Sequence, residues 1–110
     1  MTDHSLDIRA IVAIVERGKA ERVVDAAKGV GATGATILYA RGTGASEARK
    51  FLKMHIESSK EVILILTEAS KKDKIMKAMI DAGKLNDPGT GIIFSTQISD
   101  LVGLHHRSEF

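Results

Sequence analysis

Gly31-Ala32-Thr33-Gly34-Ala35-Thr36-Ile37-Leu38-Tyr39-Ala40-Arg41-Gly42-Thr43-Gly44 is a strand with glycines at both ends, and the fold turns on how it is read. Glycine serves positive φ and close backbone approach, so its recurrence here marks two constrained turns with an extended segment between them. Immediately upstream, Ala20, Val23, Val24 and Ala27 recur at helical spacing among Glu21, Arg22, Asp25 and Lys28. This predicts an amphipathic helix with Gly29 and Gly31 suited to its C-cap and Val30 to its apolar contact, after which Gly31 and Gly34 turn the chain. Before the Arg17-Gly18-Lys19 break, residues 6–15 alternate: Ile8, Ala10, Val12 and Ile14 share one face, and Ile11, Ala13 and Val15 the other. The quoted stretch is therefore the second strand of a β-α-β unit whose first strand is apolar on both faces.

The second half repeats the plan. Residues 42–53 show no strand alternation and read as a loop, with Ser46 available to cap one helical turn. The chain becomes extended from Met54, with a turn expected at Ser58-Ser59, and Val62-Ile63-Leu64-Ile65-Leu66 is a buried strand. Ser70-Lys71-Lys72-Asp73 has the form of a capping box, Ile75, Met76, Met79 and Ile80 make the buried stripe of a second helix, and Gly83 ends it. Lys84-Leu85-Asn86-Asp87-Pro88-Gly89-Thr90-Gly91 is a turn-rich loop, Ile92-Ile93-Phe94 begins the last strand, and residues 97–110 form a tail. Duplicated β-α-β units predict a single α+β domain over 1–110, a ferredoxin-like βαββαβ sandwich with both helices on one face of an antiparallel sheet. The helix-free face is too apolar for water, so a homo-oligomer is expected.

Composition narrows the function classes. A formal charge of +2 and one Tyr, three Phe and no Trp give neither the basic excess nor the rings that nucleic-acid binding uses. The absence of cysteine removes thiolate chemistry and fits a reducing compartment, the cytoplasm. The acidic N-terminal stretch and short apolar runs speak against a signal peptide and against membrane insertion. Gly29-Val30-Gly31-Ala32-Thr33-Gly34 spells a dinucleotide fingerprint, but a helix precedes it and a strand follows, the reverse of what a pyrophosphate site needs. His4, His55, His105 and His106 form no recognised zinc spacing, so no metal site is assigned. No nucleophile elbow or ordered Ser-His-Asp set is present, and no enzymatic activity is expected. The glycine-rich loops after Arg41 and Lys84 can aim several N–H groups at one anion, as phosphate-binding nests do.

On these segments the chain resembles the nitrogen-regulatory PII signalling family and its PII-like relatives. Residues 30–37 followed by Arg41-Gly42-Thr43-Gly44 are similar to the family's V-G-[hydrophobic]-T-G-x-T-V and K-G-F-G segments, and Gly83-Lys84-Leu85 with Gly89-Thr90-Gly91 to its T-G-K-I-G-D-G-K-I-F loop. The resemblance implies a cytoplasmic homotrimeric signal-transduction regulator of nitrogen metabolism, binding an adenine nucleotide in clefts between subunits and controlling a membrane transporter or enzyme through a mobile loop. Carried over, Thr36, Gly42, Thr43 and Gly44 approach base and ribose, and Gly89, Thr90 and Gly91 face the phosphates. Lys84, His105 or Arg107 is expected to replace part of the family's charge. The loop over 42–53, with Arg49, Lys50, Phe51 and Lys53, is the expected partner surface.

Departures shape the ligand expectation. Ala45 and Ser46 stand where the family has an Arg-Gln pair, Ile92 where it has a phosphate-binding lysine, and Gly103 and His105 where it has two arginines. The family's loop tyrosine is missing, since the lone Tyr39 falls inside a strand. Fewer charge-assisted bonds to a triphosphate favour AMP, ADP or a cyclic nucleotide over weakly held ATP, and 2-oxoglutarate sensing is not expected. The alternative is a metal-binding or structural trimer of the same fold, similar to the divalent-cation-tolerance proteins, resting on the terminal histidines.

Overall fold

The computed structural model of the protein describes residues 7–42 and 58–103. Alternating burial begins at once: β1 (Ile8–Glu16) sends Ile11, Ala13 and Val15 into the core and leaves Val12 and Ile14 half-buried on the other face. Helix α1 (Ala20–Gly29) follows and buries Ala20, Val23, Val24 and Ala27, the four positions its periodicity indicates. β2 (Thr36–Gly42) and β3 (Ser58–Glu68) come next, then α2 (Ala69–Gly83) and β4 (Gly91–Gln97). The sheet is antiparallel throughout in the order β2-β3-β1-β4, with the helix pair on one face, as the βαββαβ pattern requires.

The register explains the core. Ala13 lies opposite Ile63 on one side and Ile93 on the other, and Ile11 opposite Ile65, all on the helix-bearing face. Small Ala20 and Ala27 bring α1 close to the sheet and to Ile75 and Met79 of α2. Gly83 has the same use: a Cβ there would lie 3.1 Å from Val23 Cγ2, so the glycine lets α2 approach α1. The opposite face carries Leu38, Val62, Leu64, Val12, Ile14, Ile92 and Phe94 in register, and no described element covers it. Leu38 is 53% exposed, Ile92 57% and Phe94 46%, which leaves a broad apolar surface in water. Among the described residues no helix is long and apolar enough to cross a membrane.

Several local expectations are corrected. Ser58 and Ser59 do not turn; they pair with Gly42 and Arg41 inside β3, and the Arg17 N–H donates to the Ser59 carbonyl at 3.3 Å. Ser70 does not cap α2. β3 runs on to Glu68, which holds the N-cap position, and the Ala69 N–H donates to the Asp7 carbonyl at 2.8 Å, so β1's start fixes where the helix begins. Gly83 is the last residue of that helix, as expected, and Lys84 follows it as the C-cap in the left-handed region at φ 54, with the Leu85 N–H returning to the Ile80 carbonyl. Gly29 is likewise the last helical residue, Val30 is the C-cap, and Gly31 alone makes the turn at φ 118. Gly34 has no positive φ and, among the described residues, a Cβ there would meet nothing within 4 Å, so the chain does not require glycine at that position.

Candidate ligand site at one end of the sheet

Because neighbouring strands are antiparallel, β1 and β2 end, and β3 and β4 begin, at the same end of the sheet. Gly42 closes β2 opposite Ser58, and Gly91 opens β4 opposite Val15. The two glycine loops picked from sequence therefore share one end. They do not share an edge, since β3 and β1 stand between them. Three strand spacings separate Gly42 from Gly91 by roughly 14 Å across the sheet, and the three-residue offset between Ser58 and Glu61 adds roughly 10 Å along it. Thr36 sits at the opposite end of β2, exposed and paired with Leu64, roughly 20 Å along the strand from Gly42. Thr43, Gly44, His105 and the partner-loop residues Arg49, Lys50, Phe51 and Lys53 lie outside the described residues, as do all four histidines.

The loop after α2 is built by its own bonds. The Asp87 N–H donates to the Lys84 carbonyl at 3.0 Å, and the Thr90 hydroxyl lies 2.8 Å from the Lys84 carbonyl and 2.9 Å from that of Asp87. Thr90 is thus a staple of the turn, its proton already shared between two carbonyls. Gly89 at φ 77 and Gly91 at φ 145 hold the conformation on either side. At Gly91 a Cβ would overlap the Ile14 carbonyl oxygen, so glycine is required by the sheet itself. Gly42 differs: its φ is ordinary and, among the described residues, a Cβ would meet nothing within 4 Å. Among the described residues nothing demands glycine there.

The root of the β2–β3 connection is tied to the turn after β1. Glu61 is buried on the helix side, and its Oε1 accepts from the Gly18 N–H at 2.8 Å and the Ala20 N–H at 3.0 Å. It satisfies the first turn of α1, which has no capping side chain of its own. Lys60 reaches the other way, to Glu16 Oε1 at 2.8 Å. Sequence reasoning missed this anchor, although the lack of Ser, Thr, Asp or Asn at Gly18-Lys19 signals that the cap must come from elsewhere. Among the described residues the groups with displaced titration lie at the opposite end. Hydrogen bonding from Arg9 holds Asp7 below the usual carboxylate range and Arg9 correspondingly above its own, and bonding from Lys72 lowers Asp73.

With this geometry the comparisons are direct. The family model for nitrogen regulatory protein P-II matches residues 8–108. The chain belongs to the P-II family. Among solved structures, the P-II chain resembles Arabidopsis thaliana PII bound to citrate at TM-score 0.70 and 20% identity, covering 90% of this chain and 84% of that one. It also resembles a B. subtilis GlnK–ATP complex at TM-score 0.68 and 19% identity, covering 84% and 83%. At these identities the likeness establishes the ferredoxin-like fold. No curated protein sequence matches the chain significantly. Family membership makes this a regulatory signalling protein by kind.

Proposed function

We propose that this P-II protein is a cytoplasmic homotrimeric regulator, without enzymatic activity, that binds an adenine nucleotide in clefts between subunits and controls a transporter or enzyme through the 42–53 loop. One observation carries the reading: the two glycine-rich loops stand at one end of the sheet but on opposite edges. A second copy, set edge to edge, brings Gly42 of one chain beside Gly89, Thr90 and Gly91 of the next. The uncovered apolar face supplies the driving force, at about 25 cal/mol for each Å² buried. Head-to-tail contacts of this kind close into rings.

Ligand chemistry follows from the charges at hand. Within the loop Lys84 is the one cation and Asp87 the opposing carboxylate, so backbone N–H groups around Gly89 must do most of the anion binding. That supports AMP, ADP or a cyclic nucleotide over ATP. The citrate and ATP bound in the two structural neighbours support a small-effector site in general terms. Calorimetric titration of the full chain with AMP, ADP, cyclic AMP and ATP tests the proposal. Saturable binding is expected, weakened at least tenfold by Gly89→Val and by Gly42→Val, the latter without loss of thermal stability. No heat from any of the four nucleotides would overturn the ligand assignment.

A further inference from the structure

α2 carries its cations at the end of the helix that least favours them. Its first turn holds no acid, and Lys71, Lys72 and Lys74 crowd the terminus where unpaired N–H groups already concentrate positive charge. Local pairing accounts for only part of the cluster: Lys72 reaches Asp73 at 2.7 Å, and Arg9 reaches Asp7 at 2.9 Å. Lys71 and Lys74 turn instead toward the end of α1, where a Cβ on Gly31 would lie 3.8 Å from Lys71 Cδ and 3.7 Å from Lys74 Cε. Lys28, in the last turn of α1, brings a third ammonium to the same corner, and Lys77 follows three positions beyond Lys74. The helix end that these lysines approach is already satisfied. The carbonyls of Ala27 and Lys28 accept from the N–H groups of Val30, Gly31 and Ala32. Among the described residues the side chains of Lys28, Lys71, Lys74 and Lys77 have no carboxylate or hydrogen-bond partner, so their mutual repulsion stands uncompensated. Residues 69–77 set four lysines against one aspartate in a chain whose whole formal charge is +2, so the positive excess is concentrated at this corner.

A local field of this kind attracts anions, and its layout narrows their chemistry. Lysine ammoniums act as separate point charges, and Lys71 to Lys77 span roughly 9 Å of helix axis, which suits a string of carboxylates better than one small anion. Among the described residues no large exposed apolar side chain lies on either helix, so the corner offers nothing to insert into lipid or to stack on bases. We infer that this corner of the helix layer is a docking surface for an acidic segment of a partner protein, with Lys71 and Lys74 at its centre and Lys28 and Lys77 beside them. β3 runs from Ser58, opposite Gly42, to Glu68, where α2 starts, so the corner lies at the far end of the sheet from the two glycine loops. It is on the layer away from the bare face and stays open in the proposed ring, and it does not rest on the nucleotide reading.

Anisotropy of a fluorescein-labelled octaglutamate peptide, titrated with the full chain at low ionic strength, is expected to rise to saturation, with affinity falling steeply as salt is added. Lys71→Glu combined with Lys74→Glu should weaken that binding at least tenfold while the thermal melt stays level or rises, since an acid in the first turn suits α2. Arg17→Glu combined with Arg22→Glu makes the same change in net charge at exposed positions around the start of α1, and should leave the affinity within threefold of wild type. Absence of saturable binding overturns the proposal. So does an equal loss in the two double variants, which would reduce the effect to net charge. Phosphatidylserine vesicles that bind the wild-type chain as tightly as the peptide, and release it when Lys71 and Lys74 are replaced, would assign the corner to a lipid surface and refute a protein partner.

Discussion

Glycine and lysine exchange their usual places around the loop between α2 and β4. Helices commonly finish on a left-handed glycine, yet here Gly83 is helical and Lys84 takes the left-handed position at φ 54. The reason lies in packing, because the α1 contact at Val23 needs a residue without Cβ one position earlier. Lys84→Gly should therefore stabilise the protein, by about 0.5–1 kcal/mol in chemical denaturation, by relieving the left-handed lysine. The same change should weaken nucleotide binding if the ammonium faces the ligand. Gly91 has no such latitude: an alanine methyl meets the Ile14 carbonyl and a φ of 145. Strain and overpacking together put the cost of Gly91→Ala at roughly 2–4 kcal/mol, read from thermal or denaturant melts. Loss of binding in that variant would report on folding, which is why Gly42, whose φ is ordinary, is the informative position.

At the scale of elements, α1 depends on a residue more than forty positions away. Two of the N–H groups at its start have Glu61 Oε1 as their partner, and Lys19 at the N-cap provides no side-chain bond. Glu61→Ala should cost about 1–2 kcal/mol in denaturant unfolding, and Glu61→Gln less, since an amide oxygen still accepts. The same contact marks the limit of sequence reading. Strand alternation and the helical stripes located β1, α1, β2, β3, α2 and β4 correctly, because burial periodicity is a local signal. Ser58-Ser59 and Ser70 misled for the opposite reason. Each is a plausible punctuator on its own, but partners far along the chain, Gly42 and Arg41 for the first and Asp7 for the second, decided the boundary. The candidate site was legible as two glycine-rich loops. That they occupy opposite edges was not, because strand order is a property of the sheet and not of either loop.

Across the whole molecule the unresolved demand is the bare face. Val12, Ile14, Leu38, Val62, Leu64, Ile92 and Phe94 lie in register with no described element above them, and β2 and β4 both end the sheet without proline or dense charge to protect them. Such edges pair with other chains unless something covers them. The proposed ring of copies would remove both liabilities at once and would complete the proposed two-loop cleft. Light scattering is expected to give three times the 11.8 kDa chain mass, unchanged on dilution through the micromolar range. Leu38→Glu and Phe94→Glu place a carboxylate on that face at positions already half-exposed in the isolated chain, so each should leave the single-chain fold in circular dichroism while splitting the assembly. Nucleotide binding should fall with the assembly in both variants. A monomeric wild-type protein that still bound nucleotide would place the site within one chain and refute the shared cleft.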